Sequence, residues 1–547
     1  MSLKQRHAIA TQDSLHRVFT VPEDKESTLS RIEQEISENL EGFLQSHIVA
    51  VEKDLSEVEK DFSEATIPND PIFVSQQADF LLEKLVSQSV HTASPSFVGH
   101  MTSALPYFML PLSKIMIALN QNLVKTETSK SFTPLERQVI GMLHRLVYEN
   151  DDTFYTQYMH DQNFALGAFC SGGTVANITA LWAARNNAFA PTDSFSGIQN
   201  TGLMGALLHY GYRGAAILVS ERGHYSLKKT ADVLGLGTDN IIAIATNDDN
   251  QISLPALHEK CEQLTKDKIK IIALVGVAGT TETGSVDPLN EMADVAQKYN
   301  CHFHVDGAWG APTLFSKKYA PLLAGIERAD SVTIDAHKQL YVPMGAGLVV
   351  FKSPSALSGV EHHANYIIRK GSKDLGSKTL EGSRPGMAML VHSGLKIIGR
   401  SGYELLIEEG INKTHRFAKM IESNDDFELC NKPTLNILTY RYCPKWVQEY
   451  LMTCNEASRI EINELLNRFT KYLQKVQRGH GKAFVSRTKL TPSRYDEQSI
   501  IVFRVVLANP LTSDQILQDI LAEQIILAND ETEHTFLAQL RALINVD

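Results

Sequence analysis

One stretch of this 547-residue chain sets reactive side chains side by side: Ser331-Val332-Thr333-Ile334-Asp335-Ala336-His337-Lys338. Its β-branched run predicts a short strand, and its polar end puts Lys338 at the carboxyl edge of a sheet. In open α/β sheets that edge is where ligands bind. A histidine–lysine pair there has two readings. One is a solvated loop lysine, the ordinary habit of that residue. The other is a lysine whose amine forms a Schiff base with a carbonyl cofactor.

The surrounding elements bear on that choice. Gly167-Ala168-Phe169-Cys170-Ser171-Gly172-Gly173-Thr174 precedes a helix pattern in which Val175, Ile178, Leu181 and Trp182 share one side. Glycines directly before a helix let backbone N–H groups close on an anion, and the helix dipole favours phosphate there. The spacing is not that of a P-loop, because no Gly-Lys-Ser/Thr follows. A plain turn remains open, and the hydroxyls of Ser171 and Thr174 favour phosphate. Apolar runs at 215–220, 241–244, 271–277, 302–305 and 347–351 predict buried strands. Separated by helical stretches, they imply a mostly parallel sheet covered on both faces. Polar clusters follow three of them: residues 220–226, 278–284 and 306–310. Together with the lysine stretch they converge on one edge, which describes a site.

A pyridoxal phosphate site makes several demands, and each has a candidate. The aldehyde needs an amine, Lys338. The phosphate needs donors, supplied by Gly173, Thr174 and His337. The ring nitrogen must stay protonated to act as an electron sink, so a carboxylate must face it, and Asp306 fits. His224 can cover one ring face and Ala308 the other, with Thr280 near the ring edge and its phenolic oxygen. Ser331 and Asp335, at the two ends of the strand before the lysine, are counted with the cofactor site. A metal is the competing chemistry for Cys301, His302, His304 and Asp306, since three of these share one strand face. Nothing supplies an open, ligand-rich shell, and no metal is expected.

These motifs carry a resemblance. Ser171-Gly172-Gly173-Thr174-Val175-Ala176-Asn177, Gly223-His224-Tyr225-Ser226, Gly279-Thr280-Thr281, His304-Val305-Asp306-Gly307-Ala308-Trp309-Gly310 and Asp335-Ala336-His337-Lys338 match, in order and spacing, the group II pyridoxal-phosphate-dependent amino acid decarboxylases. That family includes the glutamate, aromatic amino acid and cysteine sulfinate enzymes. The match covers about residues 90–400, and Arg504-Val505-Val506-Leu507-Ala508-Asn509-Pro510 resembles the family's C-terminal domain. The resemblance implies pyridoxal 5'-phosphate as cofactor, the type I aminotransferase fold and a homodimer with active sites at the interface. It also implies a mobile loop from about His362 to Leu380. There Tyr366 takes the place of the tyrosine that protonates the substrate α-carbon. Lys338, His224, Asp306 and Tyr366 are then the catalytic set. Arg384 matches the arginine that receives the α-carboxylate, and Phe97 and Asn122 are expected at the substrate. Lys125 or Lys130 either meets a distal carboxylate or is merely exposed. Within the family the chain most resembles bacterial pyridoxal-dependent aspartate 1-decarboxylases. Aspartate to β-alanine is therefore the expected reaction, then glutamate to γ-aminobutyrate, then cysteine sulfinate. Another pyridoxal enzyme would use the same lysine and aspartate but would have no reason for the Tyr366 loop. A non-catalytic binding protein on the same fold would have lost one of the pair.

Composition sets the outer bounds. At this length two or three domains are expected: a helical N-terminal segment at 1–115 that packs on the main domain or a second subunit, a large cofactor-binding domain at 116–395, and a small α+β domain at 396–547. The net charge of -11 argues against a nucleic-acid surface. The N-terminus lacks the apolar core of a signal peptide, and no apolar run is long enough to cross a bilayer. Six scattered cysteines without CxxC pairs suit reduced thiols. A cytoplasmic enzyme, with no membrane or nucleic-acid partner, is expected.

Overall fold

The computed structural model describes residues 11–12, 27–49, 53–363, 371–530 and 535–544. Two sheets organise it. The larger has seven strands: β1 Gly167–Cys170, β2 Gly214–Ser220, β3 Ile241–Ile244, β4 Ile269–Val277, β5 His302–Asp306, β6 Ser331–Asp335 and β7 Gly347–Phe351. Their order is β1-β7-β6-β5-β4-β2-β3. Strands β2 to β6 run parallel, as the apolar runs predict. β7 is the exception, lying antiparallel to both β6 and β1. Residues 336–346 carry no helix, so the chain turns back without the crossover that a parallel neighbour needs. β1 consequently points the same way as β6. Sequence patterning reads its four residues as part of the glycine turn, because so short a strand shows no period.

Alternation along β7 shows how the sheet is covered. Leu348 and Val350 join Val139, Ile140, Leu143 and Val147 of the helix Phe132–Tyr148. Val349 and Phe351 face the other way, onto Ala176, Ala180 and Ala183 of the helix Gly173–Ala188. All five residues of β6 and of β7 are buried. Each buried Val, Leu or Phe contributes about 1.5–3 kcal/mol relative to exposure, which fixes the register of the strands that carry the polar loops.

The smaller sheet, antiparallel in the order β10-β11-β9-β8, comprises β8 Phe427–Leu429, β9 Ile437–Tyr442, β10 Ser486–Leu490 and β11 Ile500–Val506. Leu438, Tyr440, Phe503 and Val505 pack on helices Gly399–Glu422, Glu456–His480 and Asp514–Ala528. Residues 94–99 are laid into this sheet from far up the chain. The Val98 N–H donates to the Phe484 carbonyl at 3.0 Å, and the Val506 N–H to the Val98 carbonyl at 2.7 Å. The helix Ala388–Ile397 follows the large sheet in the chain and packs in its core through Ala388, Leu390 and Val391.

At the N-terminus the periodic positions Leu29, Ile32, Ile36, Leu40 and Phe43 form two helices, Thr28–Glu38 and Leu40–His47. Asn39 separates them, its side chain accepting from the Gly42 N–H at 3.0 Å. Of the five apolar positions only Phe43 is buried. Lys114 ties the arm to the body through Glu33 at 2.6 Å and Ser37 at 2.8 Å. Among the described residues, no helix is long and apolar enough to cross a membrane.

Candidate active site

Because β1, β2, β4, β5 and β6 share one direction, their carboxyl ends meet at one edge, and the turn into β7 returns to it. Lys338 stands there with Nζ 3.0 Å from Asp335 Oδ2. It opens into a cavity of about 220 Å3, lined also by Tyr341, Val342 and the arm residues Leu40 and Leu44. The His337 Nδ1–H donates to the Ala346 carbonyl at 2.9 Å, which leaves Nε2 towards Asp335 at 3.7 Å. Burial holds His337 below its ordinary pKa, against the pull of Asp335. The packing is tight enough to dictate residue type. A Cβ on Gly347 would fall 2.6 Å from Gly172 Cα and 2.7 Å from Asp335 Oδ1, so glycine lets the turn after β1 reach the lysine edge.

That turn begins the helix Gly173–Ala188, whose first residues carry no side-chain cap. Its open N–H groups sit beside the His337 ring, which a Cβ on Gly172 would approach to 3.3 Å. Uncapped helix N-termini bind anions. The Ser171 N–H is already taken, donating to Glu381 Oε2 at 2.9 Å.

Asp306 closes β5, buried, with Oδ1 accepting from the Ala308 N–H at 3.2 Å and Oδ2 from Asn177 Nδ2 at 2.9 Å. Asn177 is a hub. Its Nδ2 also donates to Ser226 Oγ at 3.0 Å, and Ser226 Oγ lies 2.9 Å from His224 Nδ1. The Ser226 N–H points at the same Nδ1 from 3.3 Å. His224 Nδ1 is therefore the acceptor, and the proton of the neutral ring sits on Nε2. Burial lowers the His224 pKa; the Asp306 charge opposes this and the Lys338 charge adds to it, so the three belong to one field.

The structure thus gathers Lys338, Asp335, His337, Gly173, Asp306, Ala308 and His224. Other expected residues stand apart or are engaged. Ser331 is at the opposite end of β6 from Asp335, about 13 Å along the strand, its hydroxyl between His302 and His304. This hydrogen bonding also occupies the two imidazoles weighed as metal ligands. The Thr280 hydroxyl is buried in its own turn, 2.8 Å from Thr283 Oγ1. Phe97 stacks on Phe484 at 4.7 Å. Asn122 donates to Ser383 Oγ at 2.9 Å, and Lys125 pairs with Glu127 at 2.8 Å. Thr174 heads the uncapped helix. Tyr366 lies outside the described residues.

Arg384, expected at the substrate α-carboxylate, is instead closed on a carboxylate of the chain itself. Both of its terminal nitrogens are held by the two oxygens of Glu136, in a pair that is almost fully buried. A guanidinium so engaged has no second fork to offer a substrate carboxylate. A different arginine is open. Arg504 on β11 is buried among carbonyls, its Nε donating to Thr281 O at 2.5 Å and Nη1 to Gly99 O at 3.2 Å. Its Nη2 is buried without a partner among the described residues. Burial lowers its pKa to about 10, with Glu282 in partial opposition, so it stays charged at neutral pH. His100 adjoins it, lowered by burial and by the charges of both Arg504 and Lys338. The signal in the sequence was a lone charge inside the apolar strand Ile500–Val506. Asn177 was equally legible, one helical turn after Gly173.

This donor set fits a phosphate-bearing pyridine aldehyde: an amine at Lys338, anion donors at residues 172–174 and a buried carboxylate at Asp306. Comparison with known proteins agrees. The Pyridoxal-dependent decarboxylase conserved domain matches residues 59–443. The aspartate 1-decarboxylase of Aliivibrio fischeri is 60% identical over 524 residues, 96% of each chain. An L-2,4-diaminobutyrate decarboxylase of Rhizobium meliloti is 28% identical over 353 residues, 64% of this chain and 65% of its own. The crystal structure of mouse CSAD superposes with a TM-score of 0.78 at 22% identity, covering 92% of this chain and 98% of that one, a likeness of fold. The chain belongs to the pyridoxal-dependent decarboxylase family: it has the type I aminotransferase fold and is a carboxy-lyase that releases carbon dioxide from an amino acid with pyridoxal 5'-phosphate as cofactor.

Proposed function

We propose that the substrate is L-aspartate and the product β-alanine, serving pantothenate synthesis in the cytoplasm. The observation that carries the choice is 60% identity, over 96% of both chains, to an enzyme named aspartate 1-decarboxylase. The site's electrostatics agree with an acidic substrate. Arg504 and Lys338 bring positive charge to one site, their joint field reaching His100, with Asp306, Asp335 and Glu282 as the carboxylates nearby.

When bound, the cofactor supplies an electron sink for the pair released as carbon dioxide leaves. Lys338 would provide the amine that holds it, and Asp335, with Oδ2 3.0 Å from Nζ, orients that nitrogen. The helix start at Gly173 and Thr174 would receive the phosphate, beside the His337 ring. Asp306 would hold a proton on the ring nitrogen, and His224, fixed through Ser226, would cover one ring face. Arg504 Nη2 would take the α-carboxylate. Tyr366, by resemblance, returns a proton to the α-carbon. A homodimer with the site at its interface would cover exposed apolar side chains at the cavity rim, Leu105 and Met344.

The test is carbon dioxide release from cofactor-loaded protein with aspartate, glutamate, cysteine sulfinate and tyrosine in parallel, the amine being identified. Aspartate should lead and β-alanine should appear. If glutamate leads and γ-aminobutyrate appears, the substrate assignment fails.

A further inference from the structure

The histidines behind Asp306 form a line that the reaction as described does not use. His302 Nε2 is 2.7 Å from Ser331 Oγ, and Ser331 Oγ is 2.8 Å from His304 Nδ1. His304 Nε2 is 3.1 Å from Asn177 Oδ1, and Asn177 Nδ2 is 2.9 Å from Asp306 Oδ2. Three elements contribute: β5 supplies both histidines and Asp306, β6 supplies Ser331 in register with His304, and the glycine-turn helix supplies Asn177. Ser331, His304 and Asn177 are buried; His302, at the outer end, is partly exposed and faces Asp330 at 4.0 Å.

The direction of every bond follows from the inner end. A carboxylate only accepts, so the Asn177 amide must turn its NH2 towards Asp306 and its oxygen away. That oxygen already accepts from Thr333 Oγ1 at 2.7 Å and must accept from His304 as well, which places the imidazole proton on Nε2. His304 Nδ1 is then a bare acceptor, filled by the Ser331 hydroxyl. Ser331 Oγ in turn accepts from His302 Nε2–H. Each donor thus points towards Asp306. Burial drives the His304 pKa down to about 3, so the ring is neutral and holds one tautomer. Apolar side chains would fill this space without the cost of burying so many polar atoms, and the arrangement is complete only as a chain.

We propose that Ser331, His304 and Asn177, with His302 at the outer end, form a positioning relay that holds the Asp306 carboxylate aimed, and through it the protonation of the cofactor's ring nitrogen. This rests on the reading that Asp306 faces that nitrogen. No bond is made or broken along the line. Ser331 then belongs to the cofactor site at one remove, through His304 and Asn177.

The test titrates apoenzyme with pyridoxal 5'-phosphate and records Kd and the visible absorption band of the loaded protein. His304→Leu should raise Kd about tenfold, the size of one lost buried hydrogen bond to a charged network, and displace the band. His304→Gln, which keeps a donor near Nε2, should recover most of both. Ser331→Ala should fall between them, and it serves if His304→Leu does not fold, as judged by the melting of the apoenzyme. Asp306→Asn is run alongside. If Asp306→Asn moves Kd and the band while His304→Leu and Ser331→Ala do not, or if Gln and Leu at 304 behave alike, the relay is overturned. If Asp306→Asn itself moves neither, the placement of Asp306 is wrong and the relay falls with it.

Discussion

Two buried arginines on paired strands of the small sheet show opposite uses of the same side chain. Arg441, on β9, is fully buried with Nε 2.5 Å from Glu428 Oε2 and Nη1 2.8 Å from Asn463. Glu428 also accepts from the Tyr495 hydroxyl at 2.6 Å and pairs with Arg494 at 2.7 Å. Burial works against the Arg441 charge, but Glu428 outweighs it and holds the pKa well above the ordinary range. On β11, beside β9, Arg504 has, among the described residues, only carbonyls and a serine hydroxyl as hydrogen-bond partners, and burial prevails. Among the described residues each keeps an Nη2 without a partner, so a count of hydrogen bonds does not separate them. The carboxylate does. A guanidinium closed on its own carboxylate is scaffold; one buried without a close carboxylate is ready for someone else's.

The strongest way to break this contrast is to delete each arginine in turn. Arg504→Met should lower kcat/KM by about 100- to 1000-fold, as for loss of one preorganised donor to an anion, and should not lower the thermal midpoint. Steady-state kinetics and calorimetry on one preparation decide it. Should Arg384→Met lose the activity while Arg504→Met keeps it, the two assignments must be exchanged. Next in size is the scaffold side. Arg441→Met should cost about 3 kcal/mol in urea unfolding, because buried Glu428 loses its buried cation and keeps the more exposed Arg494, with KM unchanged in the folded fraction. Adding Glu428→Gln should recover most of that loss. Arg384→Met should behave the same way through Glu136, with rescue by Glu136→Gln, and activity should return together with the fold.

The smallest effect concerns a group buried without charge. His144, between the Tyr155 hydroxyl at 2.9 Å and the Phe351 carbonyl at 3.0 Å, has its pKa lowered by burial to about 4. The unfolded chain takes up this proton from about pH 6.5 downwards, while the folded one refuses it until about pH 4. Its contribution is complete above pH 6.5 and is lost as pH falls towards 4, by up to about 1.4 kcal/mol per unit. Asp287, raised by burial to about 6, has the opposite sign: its contribution is complete below the ordinary carboxyl range and is lost as pH rises through 6. The slope must therefore be read as the difference between His144→Gln and the parent chain, which should be flatter for the variant.

Much of this was legible in the chain. Continuous apolar runs announced the sheet, because parallel strands covered on both faces cannot alternate. Lys338, Asp306 and His224 were legible because each follows such a run with a polar break. Residues whose role depends on a distant partner were not. Arg384 and Arg504 are both arginines near glycines or apolar residues, and only the fold shows that Glu136, 248 positions away, holds one of them. Ser331 reads as the start of a strand beside the cofactor, yet its neighbours are two histidines on the adjoining strand. β1 was hidden for a plainer reason, since four residues carry no period.

The strip of residues 94–99 in the small sheet has a consequence in time. Ser94 accepts a hydrogen bond from Asn509 across 415 positions of sequence. During synthesis at 5–20 residues per second the strip waits roughly 20 to 80 seconds for the strands that will hold it. Until then Phe97 and Val98 are exposed on a nascent chain whose large sheet can already be collapsing. Late closure of this kind makes the last third of the chain the pacemaker of folding, and truncation there should strand an early segment as well as remove a late one.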